Sequence, residues 1–174
     1  MVVCKKMCNF EAATLGKVPT ITKKNNHRTM ATATIDQLQD EIIEEFNGLD
    51  EWMDRYAYII ELADTLPPLE ECYKTPDNLI AGCQSRVWLH AEVDEQGLLQ
   101  LQADSDALIV KGIVAMLVRV LGGHTPHEVR QAKLYFIDEI GLHTHLSPTR
   151  SNGLLAMLKR IEAYAVAFDT QNNA

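Results

Sequence analysis

The sequence predicts an α+β fold, a small antiparallel sheet packed by helices, and three observations carry that prediction. Amphipathic stretches at helical spacing open and close the pattern. One central stretch alternates apolar and polar residues around a four-residue turn. No strand–helix–strand alternation of the kind that builds parallel sheets is present. Hydrophobic residues make up 47% and charged residues 23% of the 174, a balance that suits one domain with a buried core.

The elements follow in order. Ile35, Leu38, Ile42, Ile43 and Phe46 share one helical face, and Thr34 with Gln37 fits a capping box. Gly48 ends this helix. Asp50 is placed to cap the next, whose stripe is Trp52, Tyr56, Ile59, Ile60 and Ala63, and Pro67-Pro68 cannot continue it. Residues 67–82 contain three prolines and no period. They read as a long irregular connection, a class of loop that is uncommon in small domains and often functional. Val87, Leu89, Ala91 and Val93 then alternate with Trp88, His90 and Glu92, and the turn Asp94-Glu95-Gln96-Gly97 leads to a return strand over Leu98 to Ala103.

Asp104 or Asp106 is placed to cap an apolar helix over 107–121, which Gly122-Gly123 ends as a left-handed cap. Gly112 interrupts that helix. Being apolar around most of its circumference, it is expected at the centre of the core. Thr125-Pro126-His127-Glu128 is a second capping box, with proline at the first helical position. Residues 132–142 fit either a short third strand or a helix near Leu134-Tyr135-Phe136. Ser147-Pro148-Thr149-Arg150-Ser151 opens a final helix that turns Leu154, Leu158, Ile161 and Ala165 inward.

Lys and Arg number 16 against 24 Asp and Glu, a net −8, which disfavours nucleic acid as a partner because that needs a basic footprint. The longest apolar run, Leu108 to Leu121, is broken by Lys111 and Arg119 and falls short of the roughly 18 to 20 residues of a membrane crossing. The charge is uneven: residues 1–29 carry +5 and the remainder −13. Lacking both an apolar secretory core and the arginines and serines of an organelle presequence, residues 1–29 read as a basic, disordered extension ahead of a folded domain over 30–174. Cys4, Cys8, Cys72 and Cys83 form neither a disulfide framework nor a CxxC pair, so free thiols in a reducing, cytoplasmic compartment are expected. Cys4 and Cys8, His124 and His127, and His143 and His145 are each spaced as two ligands, but a closed zinc site needs four. Neither a metal nor a cofactor is expected.

The candidate for chemistry is Cys83, directly after Gly82, where the long connection meets a strand. Glycine there lets another group approach the sulfur without a clash; the alternative is a small residue packed under the strand. The run Asn78 to Trp88, centred on Gly82-Cys83-Gln84-Ser85-Arg86-Val87-Trp88, resembles the signature of the SufE-type cysteine desulfuration family. Tyr58-Ile59-Ile60-Glu61-Leu62, the segment Asp104 to Gly112 and the segment Leu146 to Leu154 extend the resemblance, which covers Ile35 to Phe168. It implies a fold shared with cluster scaffolds of the IscU type and a homodimer. It also implies that Cys83 receives persulfide sulfur from a pyridoxal-phosphate cysteine desulfurase, that the chain stimulates that enzyme, and that it passes the sulfur to an iron–sulfur scaffold. Such a chain is a sulfur carrier and not an enzyme in its own right.

The transfer is a thiolate attack on the outer sulfur of a persulfide, so a positive neighbour that favours the thiolate helps. Arg150 is the preferred source of that charge, ahead of Arg86, whose strand position need not face the sulfur; a cap or salt bridge is the other role open to Arg150. Leu79, Ile80 and Ala81 offer apolar cover, and Gly82 a joint on which the loop swings outward. Cys72 follows Glu70-Glu71, whose charges oppose ionisation. A metal- or cluster-binding scaffold of the IscU-like fold, a cysteine hydrolase and a contact-only activator of a desulfurase are the competing readings.

Overall fold

The computed structural model describes residues 33–172, and the basic segment 1–29 lies outside them. Helix α1 (Ile35–Asn47) begins at the expected capping box: the Gln37 N–H donates to Thr34 Oγ1 and the Thr34 N–H to Gln37 Oε1. Helix α2 (Trp52–Leu62) is capped by Glu51 without a side-chain bond, so Asp50 lies one residue too early to serve it. A 3-10 turn over Ala63–Thr65 carries α2 to the prolines.

The connection over 67–82 is more ordered than its composition suggests. It forms 3-10 turns at Glu71–Tyr73 and Pro76–Asn78, and Leu79 then bridges to Trp88. Strands β1 (Val87–Val93) and β2 (Leu99–Ser105) pair antiparallel with Leu89 opposite Ala103. Their turn is tied by Asp94, whose carboxylate accepts from the Gln96 and Leu98 N–H groups. Alternation sends Val87, Leu89, Ala91, Leu99, Leu101 and Ala103 into the core. On the opposite face Tyr73 stacks on His90 with ring centroids 4.0 Å apart.

Helix α3 (Leu108–Leu121) packs against β2 and α2 and is buried around most of its circumference, as its composition predicts. Neither aspartate caps it. Because β2 continues to Ser105, Ala107 becomes the N-cap; Asp104 is held instead by Lys74 and Lys111 (3.1 and 2.9 Å), and Asp106 by the Arg86 N–H. Gly112 does not interrupt the helix. A Cβ there would lie 1.7 Å from the Ile59 carbonyl oxygen, so this glycine is what lets α2 and α3 cross so closely. At the other end Gly123, at φ 77°, takes the left-handed position, while Gly122 does not.

Helix α4 (Pro126–Gln131) opens on the expected capping box of Thr125 and Glu128. No third strand forms over residues 132–142: after a non-helical stretch over 132–135 come α5 (Phe136–Glu139) and α6 (Leu142–His145), and the sheet keeps two strands among the described residues. Phe136, Ile137 and Ile140 are all buried, a spacing that strand alternation does not permit. The last helix, α7 (Pro148–Asn172), packs against α4, α3 and β1.

Candidate functional site

Cys83 sits at the tip of a loop fastened at both feet. At its base the Ile80 N–H donates to the Val87 carbonyl (2.8 Å), and Ile80 itself is buried in the core. The incoming foot is held by Asn78, whose side-chain amide donates to the Tyr73 carbonyl (2.8 Å), and by Arg160 of α7, which donates to the Asp77 carbonyl. The outgoing foot is held by Asp106. Its carboxylate accepts from the Arg86 N–H (2.9 Å) and lies 3.7 Å from Arg86 Nε, while Ser105 Oγ donates to the Arg86 carbonyl (3.0 Å). Between these feet, Ala81 to Ser85 belong to neither strand.

The glycine that lets a neighbour reach the sulfur is Gly153 of α7. A Cβ on it would lie 2.9 Å from Cys83 Sγ. Gly82 has open space where its Cβ would be, and what it supplies is a left-handed backbone at φ 88°. An isolated glycine within a helical pattern was the available signal for both close approaches, at Gly112 and at Gly153. Apolar cover also comes from elsewhere than expected: Leu79 and Ala81 are exposed, and the apolar lining of the pocket that holds Cys83 is Val110 and Ile113 of α3 with Met157 of α7. Gln84, Ser85, Thr149 and Arg150 complete a pocket of about 260 Å³.

Arg150 therefore shares a cavity with Cys83, its guanidinium 6.0 Å from the centre of the Tyr56 ring. Arg86 turns away to Asp106 and is largely exposed. Burial pushes the Cys83 thiol above the ordinary cysteine value, so the resting sulfur is held protonated. Cys72 is half-buried in the 3-10 turn before Lys74, with Sγ 3.6 Å from Glu70 Oε2. The histidines disperse: His124 lies between the Gly122 and Ala33 carbonyls, His127 beside Asp169, His143 beside Asp138, and His145 stacks on Trp52. Among the described residues no three His, Cys, Asp or Glu side chains converge as ligands. Nor is any described helix long and apolar enough to cross a membrane.

Comparison with known proteins places this geometry in context. The Fe-S metabolism associated domain named SufE matches residues 40–165. The chain is similar to an uncharacterized SufE-like protein of Rhizobium meliloti (strain 1021), 45% identical over 130 residues that cover 72% of this chain and 93% of the relative. A second such protein, from Rhizobium etli, is 44% identical over 130 residues, covering 72% of this chain and 88% of that one. Among solved structures, the solution structure of a hypothetical protein from Thermus thermophilus superimposes with a TM-score of 0.64 at 26% identity, covering 76% of this chain and 96% of its own.

Proposed function

Because this chain belongs to the SufE family of iron–sulfur metabolism, we propose that it is a sulfur acceptor whose carrier group is Cys83. In this reading a pyridoxal-phosphate cysteine desulfurase presents a persulfide, and Cys83 attacks its outer sulfur. The donor thiolate leaves, which frees the enzyme for another turnover, and the sulfur passes to an iron–sulfur scaffold. The observation that carries the reading is a thiol at the tip of a loop pinned only at its feet, in a pocket with room beyond the sulfur. One added sulfur needs about the space of a water molecule, ~30 Å³, against a pocket of about 260 Å³.

The chemistry follows from where the thiol sits. At rest, burial disfavours the thiolate, and a neutral thiol is a poor nucleophile. Drawing the loop outward rehydrates the sulfur and returns its pKa toward the ordinary ~8.5. Arg150, at the pocket wall, then adds the positive charge that favours an anionic sulfur. Burial thus keeps the thiol inert until a partner engages the loop, and after loading the same pocket shields the persulfide from oxidants and stray thiols. The reading includes action in the cytoplasm and a homodimer, the latter checked by the mass of the purified chain in solution.

The deciding experiment incubates the full chain with a cysteine desulfurase and labelled cysteine. Cys83 is expected to gain about 32 Da, one sulfur atom, as in thiol–disulfide chemistry, and Cys83→Ser to gain none while keeping its fold. A Cys83→Ala protein that still stimulates the desulfurase in full would mark a contact-only activator instead.

A further inference from the structure

We propose that the Cys83 pocket admits a small mercapto-carboxylate, free cysteine being the simplest biological case, as a direct recipient of the carried sulfur; this rests on Cys83 bearing a persulfide. Size is the first argument. Sheltering one sulfur takes about a water's volume, ~30 Å³, whereas the pocket encloses about 260 Å³. That is just under the ~300 Å³ at which drug-sized sites begin, which leaves room for an amino-acid-sized molecule.

The lining is the second. Val110, Ile113 and Met157 give the pocket shared with Cys83 an apolar lining, and Gln84, Ser85, Thr149 and Arg150 a polar one. Such a site suits a ligand with a thiol at one end and an anion at the other. Arg150 itself is the third. Among the described residues no carboxylate pairs with it, and its guanidinium lies over the Tyr56 ring face. Its fork of donors is free for a bidentate carboxylate, the partner that a guanidinium matches best.

The geometry also selects which sulfur is attacked. The α7 backbone at Gly153 crowds one side of Sγ, since even a methyl group there would lie 2.9 Å from it; an outer sulfur added to Sγ would extend into the rest of the pocket. The ligand's thiolate therefore attacks the outer sulfur. A new S–S bond forms to the ligand, the bond to Sγ breaks, and Sγ leaves as a thiolate that takes up a proton. The products are the free Cys83 thiol and a small-molecule persulfide, with no external oxidant or reductant.

The test loads the full chain to one added sulfur, removes the donor, and chases with thiols while intact mass is followed. Cysteine and 3-mercaptopropionate should unload Cys83 saturably and about tenfold faster per thiolate than 2-mercaptoethanol and cysteamine, the factor expected of one charge-assisted hydrogen bond. Arg150→Met should erase the carboxylate preference, and Arg150→Lys should restore part of it. Equal, unsaturable rates for all four small thiols, or a preference unchanged in Arg150→Met, would overturn the proposal. So would a mixed disulfide on Cys83 as the main product. If no sulfur loads at Cys83 in the first place, the acceptor reading falls together with this one, whereas loading followed by indiscriminate unloading sinks this one alone.

Discussion

At Gly153 the backbone of α7 comes so near Cys83 that the smallest side chain would touch the sulfur, at 2.9 Å. Overpacking of this kind is relieved where the structure is softest, which here is the loop tip and not the long helix. Gly153→Ala is therefore expected to push Cys83 outward and speed its alkylation by iodoacetamide roughly three- to tenfold at neutral pH, as exposure raises the thiolate fraction. Alkylation followed against pH should give a midpoint above ~8.5 for the native chain, because burial raises the Cys83 pKa, and a lower one for Gly153→Ala. An unchanged rate and midpoint would mean that the loop already leaves its pocket freely. Cys83 was legible in the sequence through its signature and through its place beside Gly82. Its surroundings were not, because Gly153 and Met157 approach it from a helix some seventy residues later in the chain. Local spacing carries no record of such a contact.

Among the elements, the crossing of α2 and α3 sets the frame of the site, since α2 carries Tyr56 against Arg150 and α3 carries Val110 and Ile113 into the pocket that holds Cys83. Gly112 makes that crossing possible. Gly112→Ala places a methyl group on a backbone oxygen that no rotamer can move, and about 3 kcal/mol of stability should be lost, read as a lower urea midpoint. The start of a helix is written locally, which is why the boxes at Thr34 and Thr125 are found where the sequence predicts them. The cap expected at Asp104 fails for the opposite reason. Its partners Lys74 and Lys111 lie on different elements, and only the folded chain brings them to it. The connection over 67–82 likewise gains its order from Leu79 and Ile80 joining β1, a pairing that its own prolines obscure.

For the molecule as a whole, two groups on the outer face of the sheet tie stability to pH. Burial holds His90 below the ordinary imidazole value, so the unfolded chain takes up a proton more readily, and stability falls as pH drops through about 6.5. Burial pushes the Asp104 carboxyl up, but the hydrogen bonds from Lys111 and Lys74 outweigh it and hold it below the usual carboxylate range. The stability it contributes is present above about pH 4 and disappears as pH falls further toward its folded value. Thermal melts should therefore decline in two stages on acidification. His90→Phe, which keeps a ring against Tyr73, should remove the first, and Asp104→Asn should cost roughly 1–3 kcal/mol at neutral pH. A melting temperature that is flat between pH 7.5 and 5 in the native chain would contradict the role given to His90. The fastening of Ile80 to Val87 has a consequence of its own. With three residues from Ile80 to Cys83 and at most ~3.5 Å for each, the Cys83 Cα can travel only about 10 Å from its anchor, and its side chain with the added sulfur extends that by only a few ångströms. So short a tether cannot search for a customer, and any enzyme that trades sulfur with this chain must bring its own reactive atom inside that radius.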